Sequence, residues 1–248
     1  MKRKVLVIVI AVVVLGILGY LGFGALSGDN PDTQTPQPNT KSQQQAAFNK
    51  QKYSTDDPAS IWVVVNKKRP LSPKDYAPAD LVTPNVATKG AQQLRAEAAR
   101  ATEEMFAAAK ADGINLRVDS AYRSYNRQVS VYNSEVSAYG QATADTQSAR
   151  PGHSEHQTGL VADFGAASGK CSIADCFGTM LEGKWIAANA YKYGFIMRYT
   201  PTKQSVTGYR YEPWHFRYVG KELASEMHKQ NIETLEEFFG LPAAPNYN

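Results

Sequence analysis

The stretch SEHQTGLVAD, residues 154–163, decides how this chain folds around a site. Gly159 permits a tight turn after His156, and the three apolar residues that follow the turn are typical of a buried strand leading to Asp163. An unpaired carboxylate in an apolar strand is costly, so we expect a cation, Arg150 or a cap to satisfy Asp163. A hairpin-like return at Gly159 would place His156 and Asp163 side by side.

The stretch EPWH, residues 212–215, carries a second acid and a second imidazole. Positions three apart on an ideal strand point to opposite faces, which would separate Glu212 from His215. Pro213 disfavours a regular ladder, so a turn or bulge at Trp214 would bring the two groups to one side. The alternative is a charged strand end with Trp214 in the core.

Combined, the two stretches predict a catalytic zinc site. His156, Asp163 and His215 would fill three tetrahedral positions around one Zn²⁺ per chain, and a water in the fourth position would make the site catalytic. Zinc lowers the pKa of such a water towards ~7. Glu212 would then accept the proton and pass it to the leaving amine.

Other chemistries find less support in the sequence. It has no Gly-x-Ser-x-Gly elbow for a serine hydrolase and no His-Glu-x-x-His zinc signature. His228 lies in a helix that we expect to be exposed, and it is left without a role. The formal net charge is +4, but Lys2, Arg3 and Lys4 supply three of those charges, so the rest of the chain is close to neutral. We therefore expect no nucleic acid partner.

The N-terminus predicts a membrane anchor over residues 1–26. Val5 to Leu26 is a run of 22 residues without a charge, long enough to cross a bilayer core. A cleaved signal peptide is the alternative, but the run is longer than its usual apolar region and no good Ala-x-Ala site follows. The basic residues before the run predict a cytoplasmic N-terminus and a single-pass protein with its domain outside the cell.

Composition divides the remainder of the 248 residues into three parts. Residues 27–60 contain four prolines and six glutamines, and predict a disordered linker. Residues 61–240 predict one catalytic domain, and residues 241–248 a short tail. The hydrophobic content of 43% is sufficient for a core.

The pattern of the domain predicts the α+β class, an antiparallel sheet flanked by helices, because no βαβ rhythm is present. Strands are predicted at residues 61–65, 114–121, 160–164, 195–199 and 209–211. Helices are predicted at residues 89–112, 124–139, 180–193, 220–230 and 233–239, and a polar loop at 141–152.

Cys171 and Cys176 are the only cysteines in the sequence. In an oxidising compartment outside the membrane, a local disulfide is the expected state of such a pair. A structural metal site would require four ligands, and no second cysteine pair exists to supply them.

Three segments, taken in order, resemble the VanY-type D-alanyl-D-alanine carboxypeptidases, a zinc peptidase family of bacterial cell walls. They are residues 119–128, 150–163 and 211–220, and the resemblance extends from about Trp62 to Phe239. It implies zinc on the two histidines and the aspartate named above, with Glu212 as the base. It also implies that Arg123 stabilises the oxyanion and contacts substrate.

The resemblance makes Gln128 and Ser154 further candidate substrate contacts. Capping of a helix and a loop is the alternative for these two residues, and a surface ion pair is the alternative for Arg123. A guanidinium aimed from the end of a strand has the charge that a developing oxyanion requires.

The predicted function is removal of the C-terminal D-Ala from peptidoglycan stem peptides by a zinc carboxypeptidase. L,D-carboxypeptidase activity on tetrapeptide stems and D,D-dipeptidase activity remain open, because the walls of the pocket decide between them. From a different class, a cell-wall-binding zinc module would need no carboxylate beside an open zinc position, so Glu212 and Arg123 favour an enzyme.

Overall fold

The computed structural model describes residues 47–247. The anchor predicted over residues 1–26 and the first part of the predicted linker lie outside the described residues. Within residues 47–247, no helix has both the length and the apolar composition needed to cross a membrane.

The described strands form two antiparallel sheets. A small ribbon pairs β1 (Leu81–Val82) with β2 (Leu94–Arg95). The central sheet contains β3 (Leu116–Ser120), β4 (Val161–Ala166), β5 (Phe195–Met197) and β6 (His215–Tyr218). Its order is β3-β4-β6-β5 and all its pairs are antiparallel, so β4 and β6 are the inner strands. This arrangement confirms the predicted α+β class.

Helices flank the central sheet. They are α1 (Ala96–Ala111), α2 (Tyr125–Tyr139), α3 (Gln141–Gln147), α4 (Leu181–Asn189), α5 (Gln204–Thr207), α6 (Lys221–Gln230) and α7 (Leu235–Phe239). Short 3-10 turns occur at Glu155–Thr158, Asp175–Thr179 and Ala190–Tyr193. Ser124 caps α2 by accepting a hydrogen bond from the Arg127 N–H, and Gly140 with φ 77° ends it, which confirms the helix predicted over 124–139.

Two hydrophobic cores stabilise the domain. The larger one lies between α1 and the central sheet, where Phe106 contacts Phe164 at a ring separation of 5.5 Å. The smaller one contains Trp62 together with apolar residues of α6 and α7, among them Leu223 and Phe238. The inner strands pack in the larger core, and these strands carry the site.

The segment 61–65 is buried as expected but is not a strand, so this part of the prediction is wrong. Its side chains alternate between the two cores, with Trp62 in the smaller one and Val63 in the larger one. Its carbonyl groups accept hydrogen bonds from side chains instead of a neighbouring strand: Arg217 Nη2 donates to Ile61 O at 3.0 Å and to Val63 O at 2.8 Å.

Three further assignments differ from the structure. The helix predicted over 89–112 begins only at Ala96, because Leu94–Arg95 pairs with Leu81–Val82 in the small ribbon. The loop predicted over 141–152 contains α3, which buries only Ala144 and is held to α2 by polar contacts such as Tyr132 Oη to Asp145 Oδ1 at 2.7 Å. A helix stabilised in this way has no apolar periodicity to reveal it. The strand predicted at 209–211 is irregular, and Arg210 N donates to Thr146 O at 3.0 Å.

Both ends of the described chain pack on the domain. Phe48, expected in the disordered linker, stacks on Trp62 with ring centroids 5.6 Å apart. At the other end Ala244 is buried, and the Tyr247 hydroxyl accepts a 2.8 Å hydrogen bond from Arg150 N. The ordered domain therefore extends beyond the predicted limits of 61–240 in both directions.

Candidate active site

Three predicted ligand residues converge at one end of the central sheet. Asp163 of β4 pairs in register with His215 of β6, and His156 lies in the 3-10 turn that precedes β4. Gly159 ends that turn with φ 68°, a left-handed conformation that allows the chain to return towards Asp163. One ligand atom from each of the three residues lies within 4.8 Å of the others.

Each imidazole presents one defined nitrogen to the common point. His156 Nδ1 donates to the Ala121 carbonyl at 2.7 Å, so His156 Nε2 faces Asp163 Oδ2 at 3.4 Å. His215 uses the opposite nitrogen: Nδ1 faces Asp163 Oδ1 at 3.4 Å. Burial lowers the pKa of His156 to about 3, which keeps its ring neutral and able to bind a metal.

The residues present fit a zinc ion. Asp163 Oδ1 is buried and has no hydrogen-bond partner within residues 47–247, a cost that a bound cation would remove. Two imidazoles and a carboxylate are a common donor set for zinc with an open fourth position. His153 and His228 lie elsewhere: His153 Nδ1 donates to Asn66 O, and His228 stacks on Tyr191.

Glu155 supports His215 and was not predicted. Its Oε2 lies 3.6 Å from His215 Nε2, on the side of the ring opposite Asp163. Its Oε1 accepts hydrogen bonds from Arg198 at 3.0 Å and Arg217 at 2.9 Å. Burial opposes ionisation of Glu155, but the two guanidinium groups hold its pKa far below the usual range. A carboxylate therefore stands behind this imidazole.

Glu212 lies beside His215, as the turn hypothesis requires. A turn at Pro213 and Trp214 brings Glu212 Oε2 to 3.4 Å from His215 Nδ1. Glu212 is 7% exposed, and burial raises its pKa to about 7. The geometry supplies a carboxylate on the ligand-facing side of His215, where it can exchange a proton with a group in the cleft.

Arg123 reaches the same cleft from the loop after β3. Its backbone N–H donates to His156 O at 3.1 Å. Its side chain is half-buried and donates to Gln128 Oε1 and to Ser120 Oγ, both at 3.0 Å. Burial lowers the pKa of Arg123 from its very high usual value. The guanidinium is thus fixed in direction while it remains open to the cleft.

Gln128 and Ser154, the other predicted substrate contacts, occupy different environments. Gln128 is 0% exposed, and its amide is already engaged with Arg123 and with the Ala149 carbonyl at 2.6 Å. These contacts hold Arg123 in position and do not leave the Gln128 amide free for a substrate. Ser154 is buried but lines the cleft.

The cleft has a volume of about 560 Å³ and continues well beyond the metal site. Its lining includes Tyr199 and Trp214 near the histidines, residues of α2 and α3, and Ile173. Ile173 belongs to the loop closed by Cys171 and Cys176, which form the expected disulfide. Ile173 therefore makes this loop part of the wall of the cleft.

The fold and the site together are those of a metallopeptidase. The sequence profile of the VanY family, described as D-alanyl-D-alanine carboxypeptidase, matches residues 91–221. The chain belongs to this family, which confirms the resemblance seen in the three motifs, and the relatives that it matches are carboxypeptidases and peptidases. The alternative of a binding module without catalytic activity is therefore set aside.

The relatives differ in their described activities. A putative carboxypeptidase, YodJ, from Bacillus subtilis is 45% identical over 188 residues, covering 74% of this chain and 68% of the relative. The structure of the LdcB LD-carboxypeptidase is similar with a TM-score of 0.69 and 45% identity, covering 74% of this chain and 87% of that one. A vancomycin-resistance D,D-pentapeptidase VanY, solved with Zn(II), is similar with a TM-score of 0.61 and 31% identity, covering 71% of this chain and 97% of that one.

Proposed function

We propose that this protein is a zinc-dependent carboxypeptidase that removes the terminal D-Ala from peptidoglycan stem peptides. The observation that carries the proposal is the convergence of His156, Asp163 and His215 beside Glu212, at one end of a long cleft. His156 through Nε2, Asp163 through its carboxylate and His215 through Nδ1 would hold the ion. Zinc would supply Lewis acidity, which activates water and polarises a carbonyl group.

The chain's own residues supply the remaining chemistry. Glu212 accepts a proton from the attacking water at its carboxylate and delivers it to the leaving amine, so one residue serves as base and then as acid. Arg123 directs positive charge at the oxyanion that develops on the scissile carbonyl, and its bonds to Gln128 and Ser120 fix that direction before substrate arrives.

The length of the cleft favours a peptide over a dipeptide as substrate. Val131, Glu135 and Tyr139 line it at intervals of four residues, so they lie along one face of α2. At 1.5 Å per residue, the cleft follows α2 for about 12 Å from Val131 to Tyr139. An extended peptide spans roughly 3.4 Å per residue, so this stretch would accommodate about three residues. A dipeptide substrate would leave this stretch of the cleft empty.

Both pentapeptide and tetrapeptide stems remain candidate substrates. The D-alanyl-D-alanine carboxypeptidase of Enterococcus faecalis, 37% identical over 145 residues, favours the D,D reaction that the sequence predicts. The similarity to the LdcB LD-carboxypeptidase favours the L,D reaction on tetrapeptides as the second candidate.

We place the catalytic domain outside the cytoplasm. The Cys171–Cys176 disulfide is consistent with an oxidising compartment. The uncleaved anchor over residues 1–26, with a cytoplasmic N-terminus, remains part of this proposal, as does a linker that lifts the domain above the membrane.

The test is an assay of the full chain, purified in detergent, on pentapeptide, tetrapeptide and D-Ala-D-Ala side by side. We expect about one zinc per chain by metal analysis, release of D-Ala from a stem peptide, loss of release with a chelator and recovery with added zinc. Release from the tetrapeptide alone would select the L,D reaction. Release from the dipeptide alone would select the dipeptidase, and release from none of the three would refute the proposal.

A further inference from the structure

The end of the cleft remote from the metal site carries one carboxylate of its own. Four carboxylates line the cleft in the described part of the chain, and Glu155, Asp163 and Glu212 belong to the metal site. The fourth, Glu135, lies on α2 between Val131 and Tyr139. Neither the metal site nor the proton transfer assigned to Glu212 gives Glu135 a task.

Glu135 is held in place without being saturated. Gln147 of α3, which also lines the cleft, donates from Nε2 to Glu135 Oε2 at 3.0 Å. Within residues 47–247, no side chain forms an ion pair with Glu135, and its Oε1 accepts no hydrogen bond from a side chain. An oriented carboxylate with a free oxygen in a cleft is suited to accept a charge-assisted hydrogen bond from a cation.

Apolar side chains line the cleft with this carboxylate. Tyr139 is 62% exposed and Ile173 is 42% exposed where they line the cleft, and Val131 lies one turn before Glu135. Apolar walls beside one anionic group complement an amphipathic side chain, in which a methylene stem leads to an ammonium head.

We propose that this end of the cleft is a subsite for a lysine-like side chain of the peptide substrate, with the ammonium on Glu135 and the methylenes against Val131, Tyr139 and Ile173. The inference rests on the proposed function, since it names a residue of the same substrate upstream of the scissile bond.

The distance along α2 is compatible with this position. Gln128, which holds Arg123, precedes Glu135 by seven residues, or about 10 Å along the helix. That length corresponds to about three residues of extended chain, or to fewer where a long side chain spans part of it. The lysine-like residue would thus lie within about three residues of the scissile bond.

The test compares two peptides that differ only in that side chain, one with lysine and one with norleucine, which has the same methylene stem without the ammonium. We expect the unmodified chain to prefer lysine by about tenfold in kcat/KM, as a hydrogen bond to a charged group allows. Glu135→Gln keeps the size of the side chain and an acceptor for Gln147, and should bring the ratio close to one. Glu97→Gln, on the exposed first turn of α1, is the matched control and should keep the tenfold ratio.

Charge reversal provides the second variant. Glu135→Lys should prefer a glutamate peptide over the lysine peptide, which loss of folding cannot produce. A ratio near one in the unmodified chain, or a tenfold ratio that survives in Glu135→Gln, would overturn the subsite while the proposed function stands. Failure to release D-Ala from every peptide would overturn both.

Discussion

At the scale of single residues, Glu212 is the side chain whose position requires a chemical explanation. It is 7% exposed beside His215, and no arginine or lysine forms an ion pair with it in the described residues. A carboxylate kept buried next to a ring that faces a candidate metal site is costly for stability, and proton transfer would account for its retention.

Glu212→Gln should therefore reduce kcat for D-Ala release by at least about 10²-fold, because the amide cannot accept the proton. The variant keeps the volume of the side chain and all three candidate ligands, so zinc content by metal analysis should remain at one per chain. Turnover within a few-fold of the unmodified chain would remove Glu212 from the mechanism, and loss of zinc would make it a ligand instead.

Glu155 provides a second residue-scale prediction. Glu155→Gln leaves Arg198 and Arg217 without their shared charge, and breaking a buried pair of this kind costs about 3–5 kcal/mol of unfolding free energy. Removing the carboxylate behind a ligating imidazole should also weaken zinc binding by about 10–100-fold. Urea unfolding and competition with a chromogenic chelator measure the two effects separately.

The matched control for this change is Glu236→Gln. Glu236 accepts hydrogen bonds from Arg198 at 2.7 and 2.9 Å and is equally buried, but it is not among the groups that contact His215. It should lower stability while it leaves zinc affinity close to that of the unmodified chain. Equal losses of zinc affinity in both variants would show that general loosening, and not the carboxylate behind His215, controls the metal site.

The sequence could predict that His156, Asp163, His215 and Glu212 come together, because each lies in one of two short motifs with metal-binding side chains. Glu155 was missed although it adjoins His156, because Arg198 and Arg217 lie 43 and 62 residues away in sequence. Glu155 could have been found from the two arginines, because each lies inside an apolar segment. A buried arginine requires a buried acid as its partner.

At the scale of elements, the sequence predicted those helices and strands whose limits are set by residues close to them in the chain. Ser124 and Gly140 fixed the limits of α2, and alternation of apolar residues indicated β3. A strand was wrongly predicted at 61–65. Its β-branched residues favour burial in an extended conformation, whether or not a strand pairs with them. Here the Arg217 side chain, distant in sequence, takes the place of the neighbouring strand.

The loop between Cys171 and Cys176 is the element whose role depends most on a covalent link. Cys171 and Ile173 have φ values of 55° and 49°, a left-handed region that costs a residue with a side chain roughly 1–2 kcal/mol. The loop presents Ile173 to the cleft in this conformation, and without the disulfide we expect both residues to relax.

Replacing both cysteines by serine should therefore raise KM for a stem peptide by about 3- to 10-fold, since losing one apolar contact is worth roughly 1 kcal/mol, and should leave zinc content unchanged. Ile173→Ala, with the disulfide intact, should raise KM to a similar degree. A double-cysteine variant with unchanged KM, next to an Ile173→Ala variant with raised KM, would show that the loop keeps its shape without the covalent link.

At the scale of the whole molecule, the buried ion network links the two cores to the candidate metal site. Arg217 lies on β6 and binds the backbone of the segment that runs between the cores, while Arg198 joins Glu155 to Glu236 of α7. Glu155 is the member that faces His215. Occupation of the metal site and stability of the described domain should consequently be coupled.

This coupling predicts a zinc-dependent shift of thermal unfolding. A ligand that binds the folded state alone adds about 4 kcal/mol at a free concentration 1,000-fold above its Kd, which for a domain of this size corresponds to roughly 10 °C in Tm. The unmodified chain and Glu212→Gln should both show the shift between chelator and added zinc, because both keep all three ligands. Asp163→Asn should show little or none of it, because it loses the charged ligand that lacks another partner. Scanning calorimetry of the three proteins measures this directly. A shift of equal size in Asp163→Asn would mean that zinc acts elsewhere on the chain, and no shift in the unmodified chain would mean that the three residues do not hold a zinc ion.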